Sequence, residues 1–259
     1  MDGGNADVQF NNVTIGANGG TLVSTSSGYV VVIMFTLGDG SGNRGYLRLT
    51  TNDATFYGGL TIQSNNILQL NASKTFTVAG GTFSNPQEIN TYQATPTLAF
   101  TNGAINTLGT IASGISISVG ATSEVKLSSN NSSNYGTITT TSGGIIDLNG
   151  LSTGTNISIA GAGNSLNSNG GALINSSGTA ASISGSITLA GGATIGGTGD
   201  ISISGVISGS YGITKTSSNL LTISNTNTYS GTTSIAAGTL SISTDRNLGA
   251  VPGSITAGS

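Results

Sequence analysis

The chain of 259 residues contains no cysteine, no histidine and no tryptophan. Without cysteine there is no disulfide framework and no thiolate metal site. The commonest general base and the strongest side-chain nucleophile are missing with them, so acid–base and covalent catalysis have few residues left to use. Charge is scarce: 6 basic and 9 acidic residues give a formal net charge of −3. The basic residues are scattered, and only Arg44 and Arg48 lie close together. Nucleic-acid binding needs clustered Lys and Arg to neutralise phosphates and release counterions, so no nucleic-acid partner is expected. The longest apolar run, Tyr29 to Phe35, has seven residues. That is far short of a membrane-crossing helix and fits a buried strand. Residues 1–20 carry neither the charged start nor the apolar stretch of a secretory leader, so the chain is expected to be a fragment or a mature form.

What the chain does have is Gly, 42 of them, together with abundant Ser, Thr and Asn. Glu, Lys, Gln and Arg, which favour helices, are rare. Ser, Thr and Asn compete with helical hydrogen bonds, and Ile, Val and Thr suit a pleated, half-buried surface. Low charge alone would fit a disordered chain. The apolar residues, however, recur in short alternating runs, which disorder does not produce. The fold class expected is all-β.

A short strand of the type Ile/Leu-x-Ile echoes along the second half. It occurs at Ile115-Ser-Ile117, Ile138-Thr-Thr140, Ile157-Ser-Ile159, Ile183-Ser-Gly185, Ile201-Ser-Ile203, Leu221-Thr-Ile223 and Leu240-Ser-Ile242. The start-to-start steps are 23, 19, 26, 18, 20 and 19, a drifting period of about 21 residues. Such a period marks a solenoid whose strands hold register while its loops vary. Alternation sends Ile, Leu and Val inward and Ser, Thr and Asn outward. Rungs stacked at about 4.8 Å pair each backbone with the rungs above and below. The architecture expected is a right-handed parallel β-helix with rungs of about 21 residues.

Residues 1–110 are expected to form a less regular β region, either early rungs or a cap, and residues 111–259 the regular helix. All six Phe and two of the three Pro, Pro86 and Pro96, fall in the first region. Strands are expected at Val8–Phe10, Leu47–Leu49, Leu60–Ile62, Leu68–Leu70 and Phe76–Val78, and Ser84–Pro96 is expected to be a loop that leaves the solenoid.

Residues 220–243 read LLTISNTNTYSGTTSIAAGTLSIS. Leu221, Ile223, Asn227, Thr228, Tyr229, Gly231, Thr233, Ile235, Gly238 and Leu240 follow, in order, a pattern of the form L-x-I, N-T-Y-x-G-x-T-x-I-x-x-G-x-L. This stretch resembles the passenger-associated repeat of bacterial autotransporters, a family of secreted surface proteins. Residues 160–219 and 244–259 look like the passenger rungs that flank it. The resemblance implies a secreted, fibrous cell-surface protein, an adhesin or stalk exported across the outer membrane, in which the repeat promotes folding and export. Membrane contact would be only through a C-terminal barrel that this sequence does not contain. Implied partners are a second copy, in an oligomer or filament, or a glycan or protein ligand at a host or cell surface. A self-assembling matrix fibre and a β-helix enzyme acting on polysaccharide are the competing readings. Ile223, Tyr229, Ile235 and Leu240 are expected to be structural.

No catalytic, cofactor-binding or metal-binding residue is assigned. The carboxylates do not recur at about 21 residues, so no stack of them on one face is expected, whereas a glycosidase needs two at a set separation. The best cluster, Asp39, Arg44, Arg48 and Asp53, reads as a solvated turn before it reads as a site. Gly196-Gly-Thr-Gly-Asp200 is similar to a calcium-binding repeat but occurs once, and such sites need tandem copies. It is expected to be a tight corner before a strand, and Gly38-Asp-Gly-Ser-Gly42 a loop. Tyr229 is expected to cover an apolar end with its hydroxyl partnered, and Asn227 to bond the backbone of its own turn. Sequons at Asn71 and Asn156 arise easily in this composition. The single Thr137-Ile-Thr-Thr-Thr141 lacks the repetition of an ice-binding face.

Overall fold

The computed structural model describes residues 53–56, 60–62, 67–70, 73–91, 94–129, 136–168, 170–250 and 255–257, together with six strands before residue 50. Side chains are described from Asp53 onward. The protein is an all-β parallel solenoid with rungs of about 21 residues. Every strand pairing is parallel and joins one rung to the next. The strands expected at Val8–Phe10, Leu60–Ile62 and Thr75–Val78 are present, and Leu47–Leu49 and Leu68–Leu70 lie within Tyr46–Leu49 and Ile67–Leu70.

The strands form three faces. On the first, Val8–Phe10 pairs with Val30–Val32, and the pairing continues strand by strand to Ile207–Gly209. This ladder crosses residue 110 without interruption. The second face runs from Val13–Ile15 to Ile255–Ala257. In its later part the third face holds Ser152–Thr153, Ala181–Ile183, Ile201–Ile203, Leu220–Ile223 and Thr239–Ile242.

The repeated Ile/Leu-x-Ile strands therefore do not form one column. Ile117, Ile138, Ile157, Ile187 and Ile207 stack on the first face. Ile183, Ile203, Ile223 and Ile242 stack on the third. Each face needs the same inward–outward alternation, so the same tripeptide serves both, and a period read along the chain moves from one column to the other between Ile159 and Ile183. The core is a continuous file of these side chains up to Ile223, with Phe76, Phe83 and Phe100 filling it at the N-terminal end. Phe83 and Phe100 meet edge to face, with centroids 5.2 Å apart.

Ser84–Pro96 does not leave the solenoid as a loop. Phe83–Asn90 is one strand that serves two faces. Its start pairs with Leu60–Thr61 and its end with Ile67–Gln69. The register shifts between Asn85 and Glu88, the stretch that holds Pro86. A proline cannot donate to a ladder, and a bulge at a corner is where a parallel sheet tolerates one.

Buried asparagines join rungs at the corners. Asn106 Oδ1 accepts from Phe83 N at 3.0 Å, while its Nδ2 donates to Glu124 O at 3.0 Å. Asn175 accepts from Gly150 N at 2.8 Å and donates to Asp200 O at 3.0 Å. Asn227 accepts from Ile207 N at 2.7 Å and donates to Asn247 O at 2.6 Å. Asn227 thus binds the rungs before and after its own, not its own turn. The amide carries its donor and its acceptor on separate atoms of a short side chain, so it replaces a ladder bond where the backbone turns away. Truncating it strands a backbone donor on one side and an acceptor on the other. Asn227→Ala is expected to cost about 2–3 kcal/mol, read by urea unfolding with a probe in the C-terminal rungs.

Candidate functional site

From Leu98 onward a rung ordinarily passes from the first face to the second in eight residues, as from Ile138 to Ile146 and from Ile187 to Ile195. The rung between them takes sixteen, from Ile157 to Leu173. The extra chain lies at residues 161–171, rich in Gly, Asn and Ser. It folds back as a strap over the outside of the second face. Asn164 Nδ2 donates to Gly143 O at 2.8 Å and to Ala121 O and Ser123 O at 3.3 Å, reaching two rungs back. Asn164 Oδ1 accepts from Leu166 N at 2.8 Å, which sets the turn of the strap. Near its end, Gly170 O accepts from Thr216 Oγ1 at 3.0 Å, two rungs further on.

The side chains on this outer face are not the usual Ser and Thr. In Glu124–Leu127, Val125 and Leu127 point to the core, so Glu124 and Lys126 point out. In the next two strands Ile146 and Leu173 point in, and Ile145, Asp147 and Ile174 point out. Glu124, Ile145, Asp147 and Ile174 are nevertheless no more than 1 % exposed. Ile145 and Ile174 do not belong to the central core and are buried on the outer side of the sheet. The sequence carried one signal of it: Ile145-Ile146 and Leu173-Ile174 break the alternation of every neighbouring strand.

Asp147 is surrounded by hydrogen-bond donors. Its Oδ1 accepts from Asn149 N and Ser176 N, both at 2.9 Å, and its Oδ2 from the Ser176 hydroxyl at 2.5 Å. Lys126 Nζ lies 3.6 Å from Asp147 Oδ2 and donates to Ser176 Oγ at 3.1 Å. Glu124 has no such set of donors. Asn167 of the strap hydrogen-bonds its carboxyl, but Oε2 has no partner. Burial, reinforced by the charge of Asp147, pushes the Glu124 carboxyl up to about 7. Two carboxylates are therefore brought together on one face, against the expectation from spacing. Glu124 is in register with Ile145, so Asp147, two residues further on, shares its side of the sheet but lies diagonally rather than in one column. The strap covers the pair.

A second polar cluster lies within the solenoid near its C-terminal end. Lys215 stacks in register between Ile195 and Ile235, on the inward side of the second face, and is fully buried. Its ammonium donates to Asn219 Oδ1 at 2.7 Å, to Ser217 O at 2.9 Å, to Ala237 O at 3.4 Å and to Thr216 O. Burial lowers its pKa, partly opposed by Asp200. Tyr229 is fully buried, and its hydroxyl shares a 2.6 Å hydrogen bond with Thr233 Oγ1. Ile223 is core, while Ile235 and Leu240 are half-buried.

The residues singled out in the sequence otherwise have backbone roles or fall outside the described residues. Asp39, Arg44 and Gly38–Gly42 lie outside them, as does the side chain of Arg48. Asp53 Oδ1 accepts from Thr75 N at 2.7 Å, closing a corner of the next rung. Asp200 does the same for Leu220 N at 2.9 Å. Gly196–Asp200 is a corner, lying between the strands Ile187–Gly197 and Ile201–Ile203. Among the described residues no group of three or more His, Cys, Asp or Glu side chains converges on a point.

No curated protein and no solved structure matches the chain. A family model does, the passenger-associated-transport-repeat, over residues 213–242. The matched segment spans Lys215, Tyr229 and their partners, and together with the parallel solenoid it is consistent with an autotransporter passenger domain.

Proposed function

We propose that the chain is part of an autotransporter-type passenger, a non-catalytic rod displayed at the bacterial surface, with adhesion or support as its work. The observation that carries this is the coincidence of the matched segment with a structural unit. Residues 213–242 cover the second-face strands Ile213–Lys215 and Thr233–Ile235 and the third-face strands Leu220–Ile223 and Thr239–Ile242. Each pairs with the rung before it, so the repeat is built to receive and extend a parallel stack. Stacking of this kind is nearest-neighbour: each rung templates on the last, and folding can draw a chain outward as it emerges.

The outward rows fit an interfacial role. On the first face Ser118, Thr139, Ser158, Thr188 and Ser208 follow one another in register and are uncharged, Thr188 exposed and the others half-buried. Such a surface suits a glycan or protein ligand bound by many weak polar contacts. The enzyme reading has less support, because Asp53 is engaged in a backbone contact and the strap covers Glu124 and Asp147.

The test is protease treatment of intact source cells, followed by immunodetection of this chain. The expected result is complete digestion from outside while a cytoplasmic marker survives. A chain that is protected in intact cells and digested only after lysis overturns the proposal.

A further inference from the structure

We propose that the insertion described at residues 161–168 and 170–171 is a pH-sensitive strap, closed over Ile145 and Ile174 while the Glu124 carboxyl is protonated and lifted when it ionises. The strap is an insertion into an otherwise regular rung, so the solenoid does not need it to stack. Among the described residues its polar contacts with the second face come from neutral groups: the Asn164 amide, the contact of Asn167 with Glu124, and the carbonyl of Gly170. Gly163 and Gly170, near its two ends, have φ of 76° and 55°, a region where a side chain is strained and glycine is not.

Glu124 is the group under the strap whose charge state is open. The charged groups that face it are Lys126, on its own strand, and Asp147, on the next; the strap contributes no charged side chain. Lys126 is engaged with Asp147 and Ser176. The Asp147 oxygens are already engaged by backbone and hydroxyl donors. A second negative charge on Glu124 would have an unpartnered Oε2, a like charge nearby and no water. The remedy within reach is to admit water by lifting the strap, which also uncovers Ile145 and Ile174.

The sign follows from proton binding. Closed, the Glu124 carboxyl titrates at about 7; open to water it returns towards 4.5. The closed form therefore binds the proton more tightly. Its advantage is complete below about pH 4.5, falls as pH rises, and is exhausted above about 7. The population of the open form is expected to rise on the order of a hundredfold across that range.

Hydrogen exchange of the peptide covering 161–175, corrected for intrinsic rates, reads this directly on the whole chain at pH 5 and pH 8. Strap protection is expected to fall on the order of a hundredfold at pH 8 in the wild type. In Glu124→Gln, a neutral shape-mimic, it is expected to be equal at both pH values. Unchanged protection in the wild type, or the same pH dependence in Glu124→Gln, overturns the proposal. Should Glu124→Gln fail to fold, carboxyl NMR on the wild type decides. A Glu124 midpoint near 7 that coincides with the loss of strap protection supports the strap, and a midpoint near 4.5 overturns it.

Discussion

Gly205→Ala is expected to destabilise the protein by more than about 3 kcal/mol, at or beyond the upper end for overpacking, although it adds a single methyl group. A Cβ at Gly205 would lie 1.8 Å from the carbonyl oxygen of Gly185 and 2.5 Å from its carbonyl carbon. Gly185 repeats the situation one rung earlier, 2.1 Å from Thr155 O. The obstacle is backbone in both cases, so no side chain can swing aside. To make room the rungs would have to separate by more than an ångström, and the bond from Ser204 N to Ile183 O, 2.9 Å long, would be among the first to stretch. Gly192→Ala is the control. A Cβ there meets nothing within 4 Å, so a change within about 0.5 kcal/mol is expected. Chemical denaturation of the pair, with exchange to locate the damage, checks both. Equal stabilities for the two variants would show that the rungs separate more freely than their spacing implies.

Lys215→Ala is expected to cost about 3–5 kcal/mol, the range for breaking a buried, hydrogen-bonded charge. The ammonium serves Asn219 Oδ1 and the carbonyls of Thr216, Ser217 and Ala237, all at the corner between the second and third faces. Removing it leaves these acceptors pointing at one another within the solenoid, and opens the space of a long side chain in register with Ile195 and Ile235. Lys215→Met fills most of that space without supplying a donor. It is therefore expected to recover only the packing part and to remain at least about 1–2 kcal/mol below the wild type. Full recovery by Met would show that the corner carbonyls are satisfied without the lysine. Because rungs couple to nearest neighbours, the loss is expected to appear as early unfolding of the rungs after Ile195, with Phe76–Phe100 still protected. Urea unfolding monitored by exchange in both regions measures it.

The sequence alone determined the class of fold, its parallel stacking and its rung length. Short Ile-x-Ile strands between Gly, Ser and Asn corners admit few other solutions, because alternation dictates which side is buried and glycine allows the corners to pack closely. It also determined the matched repeat, since Tyr229, Gly231, Thr233 and Gly238 stand at fixed distances within one structural unit. Only the tertiary structure decided which face each strand joined. All three faces demand the same alternation, so Ile159 and Ile183 look like neighbours in sequence and lie in different columns. The partners of Asn227 and Lys215 were hidden for a related reason. Asn227 bonds to rungs twenty residues away on both sides, and Lys215 adds Ala237 O from the next rung to its nearby acceptors; local turn chemistry says nothing about those. The strap was the least visible feature. Its residues are ordinary loop residues, and the carboxyl of Glu124 becomes unusual only once residues 161–171 fold over it and take its water away.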